Sequence, residues 1–153
     1  PENVEVFGAA ASASDNLGAF LEPQAAALAG VTGAEVAAAL GGLVADVDRK
    51  ALTGELAEMT AAMFRAAVST GVAGWRDDDL AFVRRWGFEL TDITVPVAVW
   101  QGAQDRMVPY AHGQWLATHV PGARVHLYED EGHLSLVHQM PRILDDLAEL
   151  AAD

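Results

Sequence analysis

Apolar positions recur at helical spacing over residues 21–90 and in short β-branched runs after them. Over residues 54–69 (GELAEMTAAMFRAAVS), Leu56, Met59, Met63 and Ala67 share one side of a predicted helix, with Thr53 placed to cap it. Pro23 suits the first turn of a short helix that runs through QAAALAG and stops at Gly30. Thr32 and Glu35 have capping-box spacing for a helix over 33–40, which Gly41 and Gly42 end. Trp75 to Trp86 reads as another short helix, capped by Asp77, with acids in its first turn and Arg84 and Arg85 in its last. Residues 1–20 are rich in Ala, Gly and Ser and show little periodicity, so a loop or poorly ordered start is expected there.

The pattern changes after Leu90. Pro96 opens the apolar run Val97-Ala-Val-Trp-Gln101, which predicts a strand buried on both faces, as in a parallel sheet. A helix follows over Tyr110 to Val120, then a turn at Pro121-Gly122, a second strand over Arg124 to Tyr128, and a closing helix over Leu136 to Ala151. Ile143, Leu144, Leu147 and Leu150 line one side of that helix. Strand, helix, strand, helix of these lengths is a βαβα unit of the α/β class, with parallel strands and a right-handed crossover.

Composition narrows the function classes. With 153 residues, 52% hydrophobic and 20% charged, the chain is long and apolar enough for one ordinary domain with a buried core. A formal net charge of −13, from 22 acids against 9 bases, argues against nucleic acid and anionic membrane surfaces as partners. The absence of cysteine excludes disulfides, thiolate metal sites and a Cys nucleophile within the chain, and suits a cytoplasmic protein. No apolar stretch reaches the roughly 18 residues of a transmembrane helix. The first residues, Pro-Glu-Asn-Val, have no signal-peptide character, and a start at proline fits a processed or cut product.

Two residues then stand out. Asp105 comes shortly after the first predicted strand and His133 shortly after the second. Loops at the carboxyl ends of neighbouring parallel strands open on one edge, where α/β proteins carry out chemistry, so the crossover brings both side chains within reach of a hydrogen bond. A carboxylate that accepts the Nδ1–H of an imidazole fixes its tautomer and leaves Nε2 free to take a proton.

The same residues carry a family resemblance. Gly102-Ala-Gln-Asp105-Arg-Met-Val-Pro109 resembles the acid loop of the α/β-hydrolase superfamily, and Glu131-Gly132-His133 resembles its histidine loop. Trp86-Gly-Phe88 followed by Ile93-x-Val-Pro96 resembles the return from lid to core in bacterial members. The resemblance implies that Asp105 is the triad acid and His133 the triad base. It further implies that residues 21–90 form a helical lid and residues 91–153 the C-terminal part of the hydrolase core, with the N-terminal core strands absent. The G-x-S-x-G elbow that should carry the nucleophile is missing. Its nearest imitation, Ala67-Val-Ser69-Thr-Gly71, leaves a helix where the elbow must leave a strand, and Ser12, Ser14 and Ser135 lack even that pattern.

The expectation is therefore a hydrolase part acting on an ester, amide, epoxide or related small molecule, inert alone for want of nucleophile and oxyanion hole. No cofactor and no metal are implied. The expected partners are a small-molecule substrate and either the missing N-terminal part of the same enzyme or a second copy of the chain, drawn to an open strand edge. The alternative is a non-catalytic hydrolase-derived module for oligomerisation or small-ligand binding.

Other residues invite readings of their own. Trp75, Trp86 and Phe88 fit either core packing or the wall of a substrate pocket under the lid, and Met107 and Leu134 could border that pocket. Asp77-Asp78-Asp79 suits a cap and a solvated face better than a metal, because consecutive helix positions point in different directions. His112, His119, His126 and His133 recur every seven residues, but across a helix, a helix end, a strand and a loop, so no ligand set is expected. Glu129-Asp130-Glu131 reads as a solvated rim.

Overall fold

The computed structural model describes residues 2–11 and 17–152, with Ser12 and Ser14 outside the described residues. In chain order the helices are α1 (Glu2–Ala11), α2 (Leu17–Leu28), α3 (Gly33–Gly41), α4 (Asp46–Ala51), α5 (Gly54–Val68) and α6 (Ala73–Phe82). Strand β1 (Ala98–Gly102), α7 (Tyr110–His119), β2 (Arg124–Tyr128) and α8 (Met140–Leu150) follow. The chain divides into two compact units, residues 1–33 with 58–87 and residues 34–57 with 88–153. Residues 34–57, part of the stretch read from sequence as lid, thus group with the strands.

The first unit is helical. Ala10, Leu17 and Leu21 form its buried cluster, with Val6, Ala9, Val72, Trp75 and Leu80 packed against them. The expected loop at the start is helical instead over Glu2–Ala11 and from Leu17 onward. Ala9-Ala10-Ala11 has the strongest helix propensity available, and Val6 and Ala10, four apart, meet the same cluster. Pro23 also departs from expectation: it lies inside α2, whose face of Leu17, Leu21 and Ala25 is buried. Proline there deletes one helical hydrogen bond, a loss that burial of three side chains on one face offsets.

Two further expectations shift by part of a turn. On α5 the buried positions are Ala57 and Ala61, while Met59 and Met63 are exposed, so the small residues form the packed stripe and the long ones point out. On α6 the N-cap is Val72, not Asp77, which instead pairs with Arg76 at 2.8 Å. Asp77 and Asp78 are exposed, but Asp79 is buried rather than solvated.

The second unit holds the sheet. Strands β1 and β2 pair in parallel with Ala98 opposite Arg124 and Gly102 opposite Tyr128, as the sequence pattern predicts. They are the two strands of the sheet among the described residues, and α7 packs on both. The second unit is thus mixed helix and strand. The closing helix is shorter than expected: residues 135–139 form a 3-10 turn and α8 begins at Met140, with Pro141 in its first turn. On the sheet, Trp100 stacks on His126 with ring centres 3.9 Å apart, and Tyr128 continues the row. His126 donates from Nε2 to Asp146 on α8 at 3.1 Å, and Arg124 pairs with the same carboxylate. Among the described residues no helix is long and apolar enough to cross a membrane.

Candidate active site

Parallel pairing puts the carboxyl ends of β1 and β2 side by side, and the two loops leaving them are joined. Ala103 N–H donates to the Tyr128 carbonyl at 2.7 Å and Gln104 N–H to the Glu131 carbonyl at 2.9 Å. Gly102, which ends β1, has no side chain because a Cβ there would overlap the backbone of Glu131. Glycine is what lets the acid loop and the histidine loop approach so closely.

Asp105 and His133, 28 positions apart in sequence, meet here. The Nδ1–H of His133 donates to Asp105 Oδ2 at 3.0 Å. The other oxygen, Oδ1, accepts the backbone N–H groups of Met107 and Val108, each at 2.8 Å. With its side chain only 4% exposed, the carboxylate is held by its own loop while it receives the imidazole. The histidine side chain is 37% exposed, and its Nε2 makes no hydrogen bond among the described residues. Chemically this is an imidazole of fixed tautomer whose free nitrogen can accept a proton.

Two buried polar side chains, neither singled out in the sequence, secure the loops from behind. Gln101, 6% exposed on β1, donates from Nε2 to the carbonyl oxygens of Val108 at 2.9 Å and Pro109 at 3.3 Å, tying down the far end of the acid loop. Asp48 on α4 is fully buried. Its Oδ2 accepts His133 N–H at 3.0 Å, and its Oδ1 accepts Leu134 N–H at 2.8 Å and Ser135 N–H at 2.9 Å. The buried Ser135 hydroxyl accepts Gly132 N–H at 2.8 Å, so every amide from 132 to 135 has a side-chain acceptor. A six-residue helix gives too little periodicity to be read from sequence, and an aspartate within it carries no local sign of a partner 85 residues away. An open hollow of about 370 Å³ lies against the acid loop, lined by Ala45, Asp46, Ala103, Gln104, Asp105 and Arg106.

The remaining sequence candidates fall in several places. Met107 is exposed and Leu134 half-buried, each beside one member of the pair. Trp75 packs against the core cluster of the first unit, whereas Trp86 and Phe88 are exposed. Glu131 is buried, not a solvated rim, and its Oε1 accepts Gln139 Nε2 at 3.0 Å. Ser69 leaves the end of α5, and its hydroxyl donates to the Ala66 carbonyl at 2.7 Å, which is not the strand-to-helix elbow of a nucleophile. The histidines spaced by seven lie in α7, at its last residue, in β2 and in the loop. No group of three or more His, Cys, Asp or Glu among the described residues could hold a metal ion.

No family model matches the chain, and no solved structure matches it. Over 68 residues, 44% of this chain, it is 37% identical to the pimeloyl-[acyl-carrier protein] methyl ester esterase of Aromatoleum aromaticum. The matched stretch spans 25% of that esterase, so the likeness is to part of a hydrolase.

Proposed function

We propose that this chain is the C-terminal part of an α/β-hydrolase, lid helices plus the last two core strands, that cleaves a small ester through a nucleophile-His-acid triad. Asp105 is the acid and His133 the base. The observation that carries this reading is the 3.0 Å hydrogen bond from His133 Nδ1–H to Asp105 at the ends of two paired parallel strands. The partial likeness to a methyl ester esterase supports it and favours an ester over an amide or epoxide.

In this reading the nucleophile, a Ser, Cys or Asp, lies outside the chain with the oxyanion hole. For a hydroxyl nucleophile, His133 Nε2 takes its proton as the oxygen attacks the ester carbon, and Asp105 stabilises the resulting imidazolium. The proton passes to the departing alcohol, and an acyl-enzyme remains. Water then attacks, losing a proton to Nε2 that returns to the nucleophile as the acid leaves. Met107 and Leu134 are the proposed borders of the substrate pocket; Trp75 is not, because it packs in a core. A two-stranded sheet is marginal alone, which supports pairing with the N-terminal part of the same enzyme or with a second copy. The test is hydrolysis of short-chain nitrophenyl esters by the full-length enzyme. His133→Ala is expected to lower turnover by roughly 10³-fold or more with an unchanged circular dichroism spectrum. Wild-type turnover in that variant overturns the reading.

A further inference from the structure

The buried Asp48 carboxylate does more than occupy a gap in the core. It accepts three consecutive backbone N–H groups, those of His133, Leu134 and Ser135, and it is fully buried. Gly132, just before them, has no Cβ because one there would overlap both Asp48 oxygens, so the loop is seated directly on the carboxylate. Between the end of β2 and the 3-10 turn at Ser135, these amides have no strand or helix partner. A loop with unpaired N–H groups would have to turn them to water, and the backbone of His133 would turn with them. The direction of the imidazole is set by that backbone at one end and by Asp105 at the other.

We infer that Asp48 is a positioning residue for the base: by fixing the amides of 133–135 it aims His133 so that Nδ1 meets Asp105 and Nε2 faces the reacting atoms. This rests on the reading of His133 as the base. A negatively charged acceptor suits the task better than a neutral one, since its hydrogen bonds are stronger and both oxygens accept. In Asp48→Asn one oxygen becomes an NH₂ donor facing an N–H donor, so at least one of the three bonds is lost with almost no change of shape.

The test uses the full-length enzyme and three readouts: kcat and KM on a small nitrophenyl ester, the low-field Nδ1 proton resonance of His133, and the unfolding midpoint. Asp48→Asn is expected to lower kcat by about 100-fold, the cost of roughly 1 Å of misplacement, with KM within about twofold. The Nδ1 resonance should broaden or vanish. Leu52→Ala, which empties a buried position one residue beyond the same helix, should lower the midpoint at least as much and leave kcat and the resonance in place. An Asp48→Asn protein with wild-type kcat and resonance overturns the inference, as does an equal loss of both in Leu52→Ala. If His133→Ala retains full turnover, the base reading fails, while the resonance still reports whether Asp48 orients the ring. Should Asp48→Asn not fold, amide exchange in the wild type decides. Slow exchange at His133, Leu134 and Ser135 together is expected, and free exchange at His133 contradicts the inference.

Discussion

Gly113 on α7 and Gln101 on β1 are packed so closely that a Cβ at position 113 would overlap the Gln101 amide oxygen and crowd its Cβ and Cδ. The same amide, through Nε2, holds the Val108 and Pro109 carbonyls at the end of the acid loop. A helical glycine is ordinarily improved by alanine by about 1 kcal/mol. Here the added methyl must displace Gln101, and overpacking of this kind costs roughly 1–3 kcal/mol. Gly113→Ala is therefore expected to destabilise the protein, by up to about 2 kcal/mol net, in urea titrations. A more stable variant would mean that Gln101 gives way freely and does not anchor the loop.

Gly102 makes a harsher case. A Cβ there meets the backbone of Glu131 and Gly132, which cannot swing aside as a side chain can. Gly102→Ala is expected to separate the two loops and cost roughly 3 kcal/mol or more, the upper range for overpacking. Loss of the low-field His133 proton resonance at a temperature where the variant is still folded would report the separation, and its retention would argue against it.

Asp79 on α6 is buried, with its Oδ2 unpartnered among the described residues. Burial, and secondarily the charge of Asp78, raises its pKa above the ordinary carboxylate value of 3.8. Between the unfolded and the raised folded value, the folded state holds more protons than the unfolded. Stability therefore falls as pH rises through that window and stays reduced above it. Asp79→Asn should raise the urea midpoint at pH 7, and the gain should shrink below the ordinary carboxylate value. An Asp79→Asn protein less stable than wild type at pH 7 would point to a structural bond for the carboxylate.

Asp146 behaves in the opposite sense. Burial alone would raise its pKa, but Arg124 foremost, with His126 and Trp100, holds the carboxyl below its usual range. The folded state then releases its proton more readily than the unfolded one, so the contribution to stability is present above the unfolded value and lost as pH falls through the folded one. Asp146→Asn should be destabilised at neutral pH and converge on wild type in strong acid. A constant difference at every pH would show that packing of α8, not charge, sets the effect.

How much of this was legible in the sequence follows from where each signal resides. The strand at 124–128 and the helix from Tyr110 match their predicted bounds closely, because β-branched runs between turn residues and a Pro-Gly stop are local signals. The Asp105–His133 contact was legible through one non-local rule, that parallel crossovers return loops to the same edge. Asp48 and Gln101 were not, since a buried polar residue is defined by partners that chain proximity does not reveal. Pro23 misled because a proline in a helix interior is unfavourable locally, and only the burial of Leu17, Leu21 and Ala25 reverses that preference. On α5 both the alanine and the methionine stripes are apolar, and periodicity alone does not choose between them.

The central claim, that Asp105 acts through His133 as a single acid and base unit, is tested most directly by a double-mutant cycle in the proposed full-length enzyme on a small ester. His133→Ala and Asp105→Asn should each lower kcat/KM by roughly 10³–10⁴-fold, and the double variant should be no worse than His133→Ala alone. Losses that multiply in the double variant, or single variants that keep wild-type kcat/KM, would contradict the account.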